Sequence, residues 1–322
     1  GEAFTRVNRE LLCYIAGPPE RFTARDHLFR AGERVQKQLV FINDTRAAVS
    51  FAFTWSASTA DGAIGRGDGA MWVAAGQRAM VPAEFRIPDA TADVAGEVIL
   101  QATVDGEGGE NLTDRFAFTV LAPTEPVETT AEVAPYDPVG ETAELLRQAG
   151  LRFSQTDQPM APAGCGLLIV GKRAFTLDGP GIDVAAITAA RRNVLVFEQT
   201  EDVLQRRWGF RTASPGVRRV FARQPAHPVC RGITDELLRD WRGSSTLLEA
   251  YPPHPGFRGS YPSEKWCGFE NSRTWQWGNY GSVASVVMEK PQRGDFSCIL
   301  DCEFDQQYTP LMDWLTPGGH VR

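Results

Sequence analysis

The turn Glu198-Gln199-Thr200, which directly follows the apolar run 194–197, is the first place where this sequence could do chemistry. A turn between a buried strand and a helix is where α/β enzymes mount a Cys or Ser nucleophile. This turn offers only an acid, an amide and a weak alcohol. Thr200 is suited to capping the next helix, and a lone Glu198 lacks the partner that acid–base catalysis needs. We therefore expect a vestigial nucleophile position and no catalytic residue in the chain.

The stretch from residue 241 to residue 280 is the most aromatic part of the chain. Its edges place indole rings beside polar side chains, in Asp240-Trp241-Arg242 and in Trp275-Gln276-Trp277. Apolar faces of sugar rings stack on tryptophan, and buried protein interfaces are also rich in Trp and Arg. Two roles stay open for Asp240, Trp241, Arg242, Trp275 and Trp277: contact with carbohydrate, or packing in a core or interface.

Other chemical motifs are incomplete. Gly171-Lys172 lacks the glycine spacing of a phosphate-binding loop. His227-x-x-Cys230 and Cys298-x-x-x-Cys302 do not make a four-ligand zinc set. We predict no cofactor and no metal.

The length and composition limit the class of protein. A chain of 322 residues fits two domains, and 43% hydrophobic with 23% charged residues is typical of globular proteins. No apolar run reaches the ~18 residues that a membrane span needs. The net charge of −7, with basic residues scattered in pairs, argues against a nucleic-acid partner. Six cysteines are too few for a disulfide scaffold and leave the compartment open.

Residues 1–121 follow the period of two that half-buried strands show. Val49, Phe51, Phe53 and Trp55 alternate with small residues, which places four large groups on one face. Similar runs occupy residues 11–15, 35–42, 70–74, 79–87, 98–104 and 115–121. About seven short strands with no helix between them predict an immunoglobulin-like β-sandwich.

Residues 122–130 are polar and contain proline, which is typical of a linker. In residues 131–322, continuous apolar strands alternate with helices, which predicts a flavodoxin-like, doubly wound α/β domain. The predicted strands are 133–136, 151–153, 166–170, 194–197, 283–288 and 296–300, and the predicted helices are 138–150, 182–191 and 202–208. Because the sequence stops soon after a turn at 316–319, we expect this domain to be truncated at its C-terminus.

Several short stretches resemble the region after the catalytic barrel of bacterial family 2 and β-galactosidase-like glycoside hydrolases. They are NRELLCYIAG (8–17), FTARDH (22–27), KQLVFIND (37–44), LIVGK (168–172), VFEQT (196–200), RDWRG (239–243) and VASVVMEKP (283–291). The resemblance implies an immunoglobulin-like sandwich followed by a domain shaped like a class I glutamine amidotransferase. It also implies a secreted or periplasmic parent enzyme.

We expect neither the glutamine amidotransferase activity nor the glycosidase activity of these relatives in this chain. The amidotransferase cysteine would fall at Glu198-Gln199-Thr200, where no thiol exists, and the glycosidase acids lie on a TIM barrel that this sequence lacks. The sequence therefore predicts a noncatalytic region of a glycoside hydrolase that braces the barrel, shapes the cleft or mediates oligomerisation. Its expected partners are the missing barrel, carbohydrate or a second copy of the chain. Two alternatives stay open: an independent esterase- or amidase-like α/β hydrolase, and a carbohydrate-binding module.

Overall fold

The structure is a computed structural model. It describes residues 8–105, 109–189, 192–213, 216–247, 264–266, 269–271, 280–292, 296–302, 307–316 and 319–321. The chain divides into two compact units, Gly1–Pro123 and Thr124–Arg322. The structure is mostly β, with several separate sheets.

The first unit is a β-sandwich made of two sheets. Its strands are β1 (Leu11–Ala16), β2 (Leu28–Arg30), β3 (Arg34–Asn43), β4 (Val49–Thr59), β5 (Gly62–Val73), β6 (Gln77–Arg86), β7 (Val94–Val104) and β8 (Asn111–Leu121). One sheet has the order β1-β3-β6 and the other β2-β8-β7-β4-β5. All pairs are antiparallel except β2 with β8. The sequence did not predict β2, because its three residues show no alternation.

The core of the sandwich is the face that the alternation in β4 predicts. Phe51 and Phe53 are buried, and the ring of Phe41 from the opposite sheet lies 5.4 and 5.0 Å from their centroids. Val49 and Trp55 pack against the same cluster. Burial of large apolar side chains from both sheets is the main force holding such a sandwich together.

Glycines in β5 and β7 make room for the aromatic rings. A Cβ atom on Gly69 would lie 2.8 Å from Cζ of Phe53, and one on Gly67 would meet the indole of Trp55. Gly96 in β7 lies under the ring of Phe118 in the same way. The rings thus fill the space that the missing side chains leave, an arrangement that stabilises glycine-containing strands.

Buried polar side chains attach the segment 17–27 to the first sheet. Gln38 Nε2 donates to the carbonyl of Gly17 at 3.2 Å, and Lys37 Nζ donates to the carbonyl of Asp26 at 3.3 Å. The Lys37 ammonium also lies 3.5 Å from the centre of the Phe116 ring, a cation–π contact. These hydrogen bonds supply side-chain donors to backbone carbonyls of the segment.

The second unit begins with a small parallel sheet. Its order is β11 (Asn193–Val196), β10 (Leu167–Val170) and β9 (Val133–Tyr136), and its helices are α1 (Glu141–Gln148) and α2 (Val184–Ala189). Helix α1 buries Ala143 and Leu146, as the apolar pattern predicts. A π-helical turn, Val203–Arg207, follows β11. The described residues contain this three-stranded parallel sheet and its helices, and they do not show the flavodoxin-like, doubly wound domain that the sequence predicts.

The prediction for helix α1 and the next strand needs correction. The helix begins at Glu141 and not at Pro138, because Gly140 precedes it with a φ of 88°. Val139 is therefore outside the helix and exposed. Residues 151–153 form no strand: the Leu151 N–H bonds back to the Leu146 carbonyl across the left-handed Gly150, which closes the end of the helix.

The remaining described strands pair antiparallel in short sheets. The strands are β12 (Thr212–Ala213), β13 (Val220–Ala222), β14 (Glu264–Trp266), β15 (Phe269–Asn271), β16 (Val287–Glu289), β17 (Phe296–Cys298), β18 (Leu300–Cys302), β19 (Tyr308–Thr309), β20 (Met312–Thr316) and β21 (Gly319–Val321). The sheets have the orders β12-β16-β19, β13-β18, β14-β15 and β17-β20-β21. The strands predicted at 283–288 and 296–300 are thus displaced and shorter, and they do not extend the parallel sheet.

Candidate functional site

The carboxyl ends of the three parallel strands bring polar residues together. Asp137 follows β9, Lys172 follows β10 after Gly171, and Glu198 follows β11 after one residue. Parallel strands place these ends along one edge of the sheet, which is where α/β folds bind ligands. This edge is the candidate site of the chain.

Both oxygens of the Glu198 carboxylate are engaged. Oε1 accepts hydrogen bonds from the backbone N–H groups of Ser285 at 2.9 Å and Val286 at 3.3 Å. Oε2 lies 3.6 Å from Nζ of Lys172, in a pair whose side chains are about three-quarters buried. Glu198 therefore links the parallel sheet to the segment that leads into β16.

The neighbours of Glu198 also have structural contacts. The buried amide of Gln199 accepts from the Phe175 N–H at 3.0 Å and donates to the carbonyls of Gly171 at 2.8 Å and Phe197 at 2.7 Å. The backbone carbonyl of Thr200 accepts a hydrogen bond from the Leu204 N–H at 3.1 Å, in the helical turn that follows. Hydrogen bonds thus connect the turn at 198–200 to several neighbouring segments of the second unit.

Asp137 is a buried residue of this edge that the sequence analysis did not single out. Its Oδ2 accepts from the Ala143 N–H at 2.7 Å in the first turn of α1, where a negative charge also favours the helix dipole. Gly171 lies so close that any Cβ there would collide with the Asp137 carboxylate. The search for polar residues after strand ends would have found Asp137, because it follows β9 directly.

The edge also places two serines beside Glu198. The hydroxyls of Ser245 and Ser285 share a hydrogen bond, and Ser245 Oγ accepts from the Leu247 N–H at 3.2 Å. Ser285 is buried, and its own N–H bonds to Glu198. The polar groups described at this edge are thus the carboxylates of Asp137 and Glu198, the ammonium group of Lys172, the amide of Gln199 and the hydroxyls of Ser245 and Ser285.

Two of the described cysteines, Cys13 and Cys298, are unsuited to nucleophilic chemistry. Burial raises the pKa of the Cys13 thiol to about 12, with a further contribution from Asp114. Burial also raises the pKa of the Cys298 thiol, although Lys290 and Arg223 act in the opposite direction. An activated cysteine needs a lowered pKa, because the thiolate is the reactive form.

The loop at Asp240-Trp241-Arg242 presents one aromatic ring to solvent. Asp240 is buried with a φ of 43°, and its Oδ1 lies 3.2 Å from Nε of the buried Arg218. Trp241 is 46% exposed, and its indole N–H donates to the Leu237 carbonyl at 2.6 Å. Arg242 is exposed. The buried ion pair therefore holds the backbone from which the indole faces outward, while Trp275 and Trp277 lie outside the described residues.

A histidine–aspartate pair is a further feature that the sequence analysis missed. His227 Nε2 lies 2.6 Å from Oδ2 of Asp313, and its Nδ1 accepts from the Val229 N–H at 3.2 Å. Both ring nitrogens are therefore occupied, so the imidazole has no free nitrogen to accept a proton from a substrate. The partners are 86 positions apart in the sequence, which explains why spacing gave no signal.

The described residues form neither a metal-binding cluster nor a membrane-spanning helix. No three His, Cys, Asp or Glu side chains converge there as a metal would require. No helix in that part of the chain has the length and apolar character to cross a membrane.

No protein-family model and no curated protein matches the chain. Solved structures match only distantly. Alpha-2-macroglobulin of Escherichia coli is 17% identical over 35% of this chain and 7% of its own, with a TM-score of 0.26. The CARDB domain of a Pyrococcus furiosus protein is 12% identical over 35% of this chain and 94% of its own, with a TM-score of 0.24. A family 123 glycoside hydrolase from Clostridium perfringens is 12% identical over 44% of this chain and 32% of its own, with a TM-score of 0.26.

Proposed function

We propose that this chain is a noncatalytic accessory region of a multidomain, β-galactosidase-like glycoside hydrolase. The first unit would be its immunoglobulin-like sandwich, and residues 131–322 its flavodoxin-like, class I glutamine amidotransferase-like domain. The region would brace the catalytic barrel, shape its cleft or mediate oligomerisation. In this proposal the missing barrel is the principal partner.

One observation carries the proposal: the carboxylate at the nucleophile turn serves as a structural brace. Glu198 bonds to the N–H groups of Ser285 and Val286, and Gln199 bonds only to backbone groups. A catalytic carboxylate instead needs a reacting atom within hydrogen-bond reach. The three parallel strands with α1 support the proposed fold of this domain.

Activity measurements test the noncatalytic role against the independent hydrolase. The chain is incubated with chromogenic β-glycosides, with chromogenic esters and with glutamine, beside the variants Glu198→Gln and Ser285→Ala. We expect no turnover above the buffer rate with any substrate. A turnover that either variant abolishes would overturn the proposal and support a hydrolase at this sheet edge.

The coding sequence upstream of residue 1 gives a second, independent test. We expect it to encode a TIM barrel with two carboxylic acids suited to glycoside cleavage. Expression of the longer protein with and without residues 131–322 would then measure what the region contributes to stability, KM and oligomeric state. A reading frame without a barrel contradicts the proposal.

The exposed ring of Trp241 favours a second candidate function, carbohydrate binding. The indole N–H is already bonded to Leu237, so the flat face is the part of the ring available for a sugar. Titration with oligosaccharides should then quench Trp fluorescence in the parent chain and not in Trp241→Ala. Trp72→Ala, which removes the exposed indole of the sandwich, is the matched control. Equal quenching in all three proteins would exclude Trp241 as the site.

A further inference from the structure

Strand β5 forms the end of the five-stranded sheet. Its one neighbour among the described strands is β4. The register between the two shifts at Ala57/Ser58, and from Gly65 to Val73 the pairing is regular. An edge strand presents a row of N–H and C=O groups that can pair with another strand.

The other edge strands of the sandwich are less suited to such pairing. Strand β6 has 10 residues but contains Pro82, which has no N–H to donate. Strands β1 and β2 have only 6 and 3 residues. Strand β5 has 12 residues and no proline. It is therefore the longest continuous edge that the described sandwich offers.

The exposed face of β5 carries two opposite charges at matched positions. Arg66 and Asp68 both point outward, opposite Ser56 and Thr54 of β4. Between them, Gly67 has no side chain. If a second β5 runs antiparallel about a two-fold axis at Gly67, Arg66 of each copy lies directly opposite Asp68 of the other.

We propose that β5 is a homodimer interface, in which the strands of two copies of this chain pair antiparallel about Gly67. Such a contact is self-complementary, as a two-fold symmetric dimer requires, and it joins two sheets into one. The proposal rests on the sandwich alone: it specifies the oligomerisation named above, but it does not require that the chain belong to a glycoside hydrolase.

The charges select this register over its neighbours. If the two-fold axis lies at Arg66, the Arg66 side chains of the two copies face each other. If it lies at Asp68, the two Asp68 carboxylates face each other. Directly opposed like charges destabilise a strand pair, whereas opposite charges stabilise it. The glycines at 65, 67 and 69 lie on the opposite face of β5, where the rings of Phe53 and Trp55 cover them, so Arg66 and Asp68 are the side chains that meet at the centre of the outward face.

Charge exchange tests the proposal. The oligomeric state of the 322-residue chain is measured by sedimentation over a range of concentrations at low salt. Three variants are compared with it: Arg66→Asp, Asp68→Arg and the double exchange. Each single change turns two attractive pairs into two repulsive ones, and we expect dimerisation to weaken about tenfold or more. The double exchange restores both pairs and should restore the dimer.

Controls separate pairing from misfolding. Arg115→Asp changes the charge equally on the same face of the sheet, in β8 and away from the edge, and should leave the dimer intact. Circular dichroism of each variant shows whether the sandwich is folded, and Asp68→Asn gives a milder change should an exchange variant unfold. A parent chain that stays monomeric, single variants that dimerise normally, or a double variant no better than the singles would each overturn the proposal.

Discussion

The carboxylate of Glu198, at the end of β11, accepts a hydrogen bond of 2.9 Å from the backbone N–H of Ser285, 87 residues further along the chain. Through this bond a turn that resembles a nucleophile site holds two distant segments of the second unit together. The contribution of Glu198 should therefore be visible in stability and not in turnover.

Glu198→Ala should destabilise the second unit by about 1–3 kcal/mol, because it leaves the N–H groups of Ser285 and Val286 without their acceptor. Glu198→Gln keeps an acceptor oxygen and should cost less. Urea unfolding followed by circular dichroism measures both. Glu144→Ala is the matched control, since Glu144 pairs with Arg147 on the exposed face of α1. Equal losses in Glu198→Ala and Glu144→Ala would refute the bracing role.

Gly96→Ala should destabilise the sandwich by about 1–3 kcal/mol, because the added methyl group collides with the buried ring of Phe118. Gly109→Ala is the control, since among the described residues a Cβ there meets the Val104 carbonyl oxygen at an ordinary 3.4 Å. Combining Gly96→Ala with Phe118→Leu should recover part of the loss. Thermal unfolding gives all three values. A Gly96→Ala protein as stable as the control would show that the ring adjusts freely.

The exposed ion pair of Glu84 should make a small contribution to the stability of the sandwich that acid removes. Hydrogen bonds from Arg34 and Gln36 hold the pKa of the Glu84 carboxyl below its ordinary value. The folded-state pKa thus lies below the unfolded one, so the stabilisation is present above the unfolded value and is lost as the pH falls through the folded one. Titration of the side-chain carboxyl by NMR measures the shift, and Arg34→Ala should move the pKa upward. An unchanged value in that variant would contradict the assigned cause.

Cys13 should resist alkylation in the folded protein. Its pKa of about 12 keeps the thiol protonated at pH 8, and it is buried in the sandwich core. Because the folded-state pKa is raised, its stabilising effect is lost only as the pH rises between 9.0 and about 12. Mass spectrometry after iodoacetamide treatment should show the half-buried Cys298 modified before Cys13. Modification of Cys13 at the same rate would mean that the core opens readily.

The sandwich could be predicted from the sequence because the pattern that indicates it lies within single strands. Alternation of large and small residues around Phe51 and Phe53 identifies the inward face without knowledge of the partner strand. The pairing of β2 with β8 gave no such signal, since a three-residue strand is too short to show a period.

The candidate site was less predictable because its contacts are distant in sequence. The continuous apolar runs located β10 and β11 and therefore the turn at Glu198. Its acceptor role for Ser285 depends on how a segment 87 residues away returns to the sheet edge, and no spacing rule contains that information. His227 and Asp313 meet across 86 residues for the same reason.

Asp240→Ala should be among the most destabilising single changes in the second unit. The substitution leaves the buried guanidinium of Arg218 without the carboxylate 3.2 Å from its Nε, and breaking a buried pair in this way costs about 3–5 kcal/mol. Glu144→Ala is the control, because Glu144 pairs with Arg147 while more than half of each side chain is exposed.

Replacing both Arg218 and Asp240 separates two costs: the loss of the ion pair, and the burial of the Arg218 charge after its carboxylate partner is removed. Arg218→Met combined with Asp240→Ala removes the buried charge together with its partner and should be less destabilising than Asp240→Ala alone. Urea unfolding of the single, double and control variants gives the comparison. Should Asp240→Ala cost no more than Glu144→Ala, the pair does not hold the loop, and the outward position of Trp241 does not depend on it.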